Sequence, residues 1–155
     1  MAEPTSATMA TLFSNLIGRR VNFTEQPAAV PANGQQIYCV YLIKPMDSSR
    51  ILIADMSLLG SFAAALIGLP SEAVKERLAD ATIDENLRDA LHEVMNIASR
   101  IVSTEHRAVF NGMYGDTGQL SPEARNIIRN PCYSNYFRVT VDGYTGGALS
   151  MAGPF

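Results

Sequence analysis

The sequence predicts an α/β fold, a two-layer sandwich in which an antiparallel sheet packs against long helices. Two observations lead to it. The runs Ile37 to Ile43 and Arg50 to Ala54 are rich in β-branched and aromatic residues and are separated only by KPMDSS. The stretch Asp84 to Ser103 carries apolar residues at helical spacing. A chain of 155 residues fits one domain, so we expect a single domain over residues 1–155.

The first elements are a helix and a short strand. Ser6 to Ile17 has its apolar residues on one face, and Gly18 can close the helix. Val21 to Glu25 predicts a strand, which the turn region Pro27 to Gly34 follows.

The next two strands are predicted to pair antiparallel. Ile37 to Ile43 is apolar on both faces, which indicates a central strand covered by helices on at least one side. Two helices should follow. Asp55 is predicted to cap the helix Met56 to Ile67, which Gly68 ends, and Ser71 to cap a short helix reaching about Ala79.

The longest helix should begin at Ile83, because Thr82 and Glu85 have the spacing of a capping box. Its apolar residues form one stripe, made of Leu87, Ala90, Leu91, Val94, Ile97, Ala98, Ile101 and Val102. This stripe predicts that the helix buries one side against the sheet.

The C-terminal part predicts a strand, a short helix and a closing hairpin. Arg107 to Tyr114 is the strand, and Ser121 with Pro122 starts a helix that reaches Arg129. Tyr136 to Val141 and Ala148 to Met151 alternate around DGYTGG, and the last strand should end just before Gly153.

The outer face of the long helix carries an ordered row of polar residues, the polar ridge. Its members follow one another at steps of four, three, four and three: Asp89, Glu93, Asn96, Arg100 and Ser103. Asn is a mediocre helix former, so Asn96 is either tolerated on a solvated face or placed there for its carboxamide. Spacing alone favours the solvated face.

These residues resemble a known motif. Asp89, Glu93 and Asn96, followed by Ile97-Ala98, are similar to the Asp/Ser-x3-Glu-x2-Asn motif of the CheC/CheX family of chemotaxis phosphatases, relatives of the flagellar motor switch proteins. The segments Leu58 to Leu78 and Tyr136 to Met151 also resemble that family, before the motif helix and in the closing hairpin. Together the three cover about the C-terminal two thirds of the chain in order.

The resemblance implies a bacterial phosphatase that hydrolyses the phosphoaspartate of a CheY-type response regulator. Asn96 would orient the attacking water, and Glu93 would pair with a receiver cation, its active-site Lys. Asp89 and Arg100 would contact the partner. The Mg²⁺ ion would belong to the receiver, so we expect no cofactor and no metal on this chain. Because CheX-like proteins commonly pair, and apolar strands can offer an edge, we also expect a homodimer.

Two sequence details qualify the resemblance. The first helix has Asn15 without a Glu three residues before it, so the chain is similar to single-motif, CheX-like members. The extended family motif has a Pro 22 residues after its Asn, where this chain has Gln119, with Pro122 three positions later.

Charge, apolar run length and the placement of Cys and His argue against several other classes of protein. A net charge of −3 and a pI near 5.3 disfavour nucleic-acid binding. The sequence has no apolar run long enough for a membrane span and no basic leader, and Cys39 and Cys132 fit reduced thiols, so we expect a cytoplasmic protein. His92 and His106 form no catalytic set with these thiols, and we interpret His92 as a surface residue.

Two alternatives remain at this stage. The chain could be a non-catalytic module that docks on a receiver or assembles with motor switch proteins. It could also be a structural module in which the polar ridge is only solvated.

Overall fold

The computed structural model describes residues 5–32, 34–78, 83–103 and 106–154. Its strands are β1 Val21–Gln26, β2 Gln36–Ile43, β3 Ser48–Asp55, β4 Ala108–Tyr114, β5 Tyr133–Val141 and β6 Gly147–Gly153. Its helices are α1 Ser6–Ile17, α2 Met56–Ile67, α3 Ser71–Arg77, α4 Glu85–Val102 and α5 Pro122–Arg129, with a short 3₁₀ turn at Thr117–Gln119.

The strands form one sheet in the order β1-β5-β6-β3-β2-β4, and every neighbouring pair is antiparallel. The predicted α/β class and the antiparallel pairing of β2 with β3 are therefore confirmed. β2 lies between β3 and β4, so its position as an interior strand is confirmed as well. One face of β2 packs into the main core through Ile37, Cys39, Tyr41 and Ile43, and Val40 on the other face joins a smaller buried cluster.

The main core lies between one face of the sheet and the helices α1, α2 and α4. Phe13 of α1 stacks on Phe62 of α2, with ring centroids 4.8 Å apart. The predicted apolar stripe of α4 packs into this core except at Ile97, which is half-buried, whereas Met95, outside the predicted stripe, is fully buried like Leu91. Burying such side chains is the dominant favourable contribution to folding, so α4 is held mainly by its inner face.

A smaller cluster lies on the opposite face of the sheet, under α5. It joins Val40, Ile51 and Ala152 of the sheet to Leu120, Ala124 and Ile127. The two-layer sandwich therefore gains a local third layer where α5 covers β3 and β6. Ser121 caps α5 as predicted, accepting a hydrogen bond from the Ala124 amide at 3.1 Å.

The predicted start of α4 is wrong by two residues. Asp84 is the N-cap and accepts a hydrogen bond from the Leu87 amide at 3.0 Å, so the helix begins at Glu85 and not at Ile83. Thr82, the other half of the predicted capping box, lies outside the described residues. The Asp84 carboxylate caps well because it satisfies an amide and also places negative charge at the positive end of the helix.

The other two predicted caps differ from the structure in different ways. Asp55 occupies the N-cap position of α2, as predicted, but its side chain makes no capping hydrogen bond there, and its Oδ2 accepts instead from the Ala148 amide of β6 at 2.9 Å. Ser71 is the first residue of α3, whose N-cap is Pro70. α3 ends at Arg77, short of Ala79, which lies outside the described residues.

The C-terminal hairpin is longer than predicted. β5 begins at Tyr133, and β6 runs through Gly153 instead of ending before it. Tyr133 and Gly153 are cross-strand partners, and the Tyr133 ring occupies the space that a Cβ atom at Gly153 would need. None of the helices in the described ranges is long and apolar enough to cross a membrane.

Candidate functional site

The outer face of α4 presents four members of the polar ridge to solvent. Asp89, Glu93, Asn96 and Arg100 are all exposed. The predicted exposure of Glu93 and Asn96 is therefore confirmed. Residues three or four apart on a helix are neighbours, so the Glu93 carboxylate and the Asn96 carboxamide leave the helix about one turn apart on the same face.

Ser103, the fifth member of the ridge, has a different role. It is half-buried, and its hydroxyl donates to the Ser99 carbonyl at 2.7 Å and accepts from the Ala108 amide at 2.9 Å. These bonds tie the end of α4 to the start of β4. Ser103 therefore does not belong to the exposed part of the ridge.

Glu93 and Asn96 have no partner of their own within the described ranges. Their side chains make no hydrogen bond or ion pair with another described residue. The Glu93 carboxylate can therefore accept hydrogen bonds from a bound protein, and the Asn96 carboxamide can both accept and donate, without first breaking an internal contact.

The middle of α4 is fixed to the sheet by a buried hydrogen bond. The Tyr41 hydroxyl on β2 donates to the main-chain carbonyl of Met95, the residue before Asn96, at 2.7 Å. Burial, and secondarily the neighbouring Cys39 thiol, raise the pKa of Tyr41 well above its usual value. The hydroxyl therefore keeps its proton and remains a donor.

A buried cation holds the C-terminal end of α4. Arg50 is 3% exposed, and its Nη1 donates to the Val102 carbonyl at 2.7 Å. Its guanidinium carbon lies 5.1 Å from the centre of the Tyr133 ring. A positive charge at this end of a helix complements the helix dipole. The sequence analysis did not predict this role for Arg50. The one signal was that a charged residue begins an otherwise apolar predicted strand.

A groove runs beside the N-terminal half of the ridge, and we call it the α2–α4 groove. Its volume is about 390 Å³. The apolar part of its wall comes from Ile67, Leu69 and Ala90, and the polar part from Arg77, Asn86, Asp89 and Glu93. The structure therefore brings Asp89 and Glu93 to one cavity, whereas Asn96 and Arg100 do not line it. The sequence predicted Ile67 as the last residue of α2, before Gly68, but nothing in the sequence indicated that it would line a groove beside Glu93.

His92 lies beside the ridge and contacts the edge strand. It is exposed, and its ring packs edge-on against Phe110 of β4, with centroids 5.5 Å apart. Phe110 in turn contacts Tyr41, with centroids 5.4 Å apart. The interpretation of His92 as a surface helix residue agrees with this position.

The two thiols lie in different environments. Cys39 is fully buried on β2, and burial raises its pKa to about 12, so its thiol stays protonated. Cys132 is exposed before β5. Across the described ranges, no group of three His, Cys, Asp or Glu side chains is arranged to hold a metal ion.

The segment after β4, where the sequence has Gln119 in place of the Pro of the motif, divides between the two faces of the sheet. Gln119 ends the 3₁₀ turn and lines a cavity with Arg88 of α4, and α5 follows it. α5 packs on the face of the sheet opposite the main core to which α4 belongs. This helix therefore does not border the exposed face of α4.

Comparison with known proteins gives structural matches only. No protein-family model matches the sequence, and no curated protein sequence matches it either. Among solved structures, the chain is similar to one in the FliM–SpeE complex of H. pylori, with a TM-score of 0.70, 12% identity, and coverage of 98% of this chain and 83% of that one.

Two further solved structures carry the same fold. The FliM middle domain from H. pylori matches with a TM-score of 0.62 and 14% identity over 96% of this chain and 84% of that one. The chemotaxis protein CheX from Desulfovibrio desulfuricans matches with a TM-score of 0.53 and 9% identity over 98% and 97% of the two chains. The chain therefore has the fold that CheX and the FliM middle domain share.

Proposed function

We propose that this protein is a phosphatase for the phosphoaspartate of a CheY-type response regulator, with α4 as the helix that meets the receiver. The observation that carries the proposal is the placement of Glu93 and Asn96 on the same exposed face of one helix. They lie one turn apart on the exposed face of α4, and neither is engaged within the described part of the chain.

The proposed chemistry needs positioning more than covalent participation. A water oxygen bonds to phosphorus while the bond from phosphorus to the aspartyl oxygen breaks, which releases inorganic phosphate and restores the aspartate carboxylate. Asn96 orients that water through its carboxamide and acts as neither base nor nucleophile. A loose transition state of this kind is accelerated mainly by in-line alignment of the water and by stabilised charge.

The remaining residues of the exposed ridge are assigned to docking. Glu93 pairs with a receiver cation, its active-site Lys, and Asp89 and Arg100 contact the partner on either side. The magnesium ion that offsets phosphoryl charge belongs to the receiver, so no residue of this chain is assigned to a metal. The proposal includes a cytoplasmic location, a place in chemotaxis or another two-component pathway, and a homodimer.

The anchoring of α4 supports this assignment. Tyr41 holds the carbonyl of Met95 and Arg50 holds that of Val102, so the helix is attached to the sheet on both sides of Asn96. A group that orients water must keep its position to within a fraction of an ångström. A helix fixed at these two carbonyls holds such a position more precisely than an exposed loop does.

The test is a single-turnover assay with a CheY-type receiver that has been phosphorylated by a small-molecule phosphodonor. Excess wild-type protein should accelerate phosphate release over the receiver's own decay. Asn96→Ala should still bind the phosphorylated receiver but lose roughly 10²- to 10³-fold in rate, by analogy with removing one preorganised transition-state contact.

The matched control is Asn126→Ala. Asn126 is also an exposed helical Asn, but it lies on α5, on the other face of the sheet. It should leave the rate unchanged, and both variants should fold normally. Acceleration by Asn96→Ala equal to that of the wild type would refute the assigned role.

A second candidate is a non-catalytic docking module of the same fold. The match to a chain from the FliM–SpeE complex favours it, because FliM is there crystallised in a protein complex. In that case the protein would bind the receiver or a motor switch protein without accelerating phosphate release. Its affinity for phosphorylated and unphosphorylated receiver is then measured. Binding to either form indicates a docking module, and binding to neither indicates a ridge that is only solvated.

A further inference from the structure

We propose that the α2–α4 groove receives an apolar side chain of the receiver, with Ile67 as the anchor that sets affinity. This inference rests on the proposed function. It adds a contact outside the polar ridge and specifies the partner's chemistry, an apolar side chain next to a cation.

Ile67 is a large apolar side chain that the fold leaves exposed. It is 45% exposed, and among the described residues the other large hydrophobic side chain exposed to this degree is Met46, at 47%. A scattered exposed hydrophobic residue is ordinary. Ile67 differs because Leu69 and Ala90 continue its apolar surface into a cavity of about 390 Å³ that Glu93 also borders. A concave apolar site beside a charged group is typical of a docking pocket.

The backbone around Ile67 is held in place. Gly68 ends α2 in the left-handed region, with φ of 78°, and this turn directs Leu69 back against the main core. The hydroxyl of Tyr144 donates to the Leu69 carbonyl. The rim of the groove is therefore anchored by a residue of the closing hairpin, and a preorganised site loses less entropy when it binds.

The charge of the groove indicates which partner fits it. Arg77 forms an ion pair with Asp84, at 3.3 Å, which leaves the carboxylates of Asp89 and Glu93 as the unbalanced charges of the wall. A partner that places an apolar side chain over Ile67 would therefore be favoured if it also presented a cation toward Glu93. The proposed role of Glu93 requires a receiver cation at this position, so one receiver surface satisfies both conditions.

The experiment compares Ile67→Ala with Met46→Ala, because the two residues are equally exposed but Met46 lies in the turn between β2 and β3. Initial rates of phosphate release are measured against the concentration of phosphorylated receiver. Ile67→Ala should raise KM on the order of 10-fold and leave kcat unchanged. The contact it removes binds the receiver equally well before and during the reaction, so its loss weakens binding without slowing the chemical step. Met46→Ala should match the wild type.

Three outcomes would overturn the inference. Ile67→Ala could match Met46→Ala in KM, or it could lower kcat with KM unchanged. It could also convert a dimer of this chain into a monomer in light scattering, which would assign the groove to a second copy. The first result leaves the proposed function intact if the wild type still accelerates phosphate release.

A binding measurement separates the two proposals if the wild type shows no phosphatase activity. The probe is a CheY-type receiver loaded with beryllofluoride and Mg²⁺, a stable mimic of phosphoaspartate. An increase in Kd on the order of 10-fold for Ile67→Ala alone would support the groove although the catalytic proposal had failed. Equal Kd values for both variants, or no binding by the wild type, would refute the groove as well.

Discussion

The hydroxyl of Tyr41 on β2 donates a hydrogen bond to the main-chain carbonyl of Met95 on α4, at 2.7 Å, between residues 54 positions apart in the chain. Both side chains are fully buried. The bond fixes the rotation of α4 against the sheet at the residue directly before Asn96. The position of the candidate water-orienting side chain therefore depends on a contact made from the core.

Replacing Tyr41 by Phe should destabilise the protein by about 1 kcal/mol, the net contribution of one buried hydrogen bond. The measurement is urea unfolding. The control is Tyr38→Phe, because Tyr38 lies on the same strand but on the face covered by α5. If both variants lose the same stability, the bond to Met95 does not contribute as we infer.

The same variant should also affect the proposed reaction. A less firmly held α4 should lower kcat modestly while KM stays close to that of the wild type, because docking through Glu93 is unchanged. A higher KM with kcat unchanged would indicate that Tyr41 shapes the docking face instead.

Glu93→Ala should weaken association with the receiver on the order of 10-fold, because a charge-assisted contact that is desolvated in the complex contributes about 1.4 kcal/mol or more. The melting temperature should barely change, since Glu93 is exposed in the free protein. Surface plasmon resonance on the beryllofluoride-loaded receiver measures the affinity. Glu25→Ala, an exposed Glu on β1, is the control and should have no effect.

Salt provides a second test of the same contact. Raising the ionic strength should slow association of the wild type more than that of Glu93→Ala, because screening weakens an attraction that the variant lacks. Parallel salt dependences, or a large loss of melting temperature at unchanged affinity, would show that Glu93 has a structural role.

Stability should fall at alkaline pH because of Cys39. Burial raises its pKa in the folded state to about 12, against an ordinary value of 9.0. The folded state therefore keeps a proton that the unfolded state loses above about pH 9, so this contribution is complete below pH 9 and is lost as the pH rises. Each pH unit in that window should cost about 1.4 kcal/mol. Tyr41, whose pKa is also raised, acts in the same direction.

Urea unfolding at pH 8, 9 and 10 measures this dependence. Cys39→Ala removes the Cys39 contribution, so its stability should decline less steeply than that of the wild type, although its stability at pH 8 should be lower because the substitution leaves a small cavity. Cys132→Ala, which changes an exposed thiol, should keep the wild-type slope. Identical slopes for the wild type and Cys39→Ala would contradict the proposed cause.

The elements that the sequence determined are those with a strong local period or a strong end signal. α1 has the predicted bounds, Ser6–Ile17, because its apolar face and Gly18 are both local. The pairing of β2 with β3 followed from two apolar runs joined by a short turn. The exposure of Glu93 and Asn96 followed from the same periodicity that buries the other face of α4.

Tertiary structure decided the contacts between residues distant in the chain. Asp55 has the sequence of an N-cap, but a strand amide 93 positions away, that of Ala148, takes its carboxylate. Arg50 and Tyr41 have no sequence pattern that relates them to the carbonyls of α4, and Ile67 has none that relates it to Glu93. A local pattern specifies which residues of an element are apolar or cap its ends. Which polar group reaches which carbonyl, and where a groove opens, depends on how the elements pack, and packing is set by the whole core.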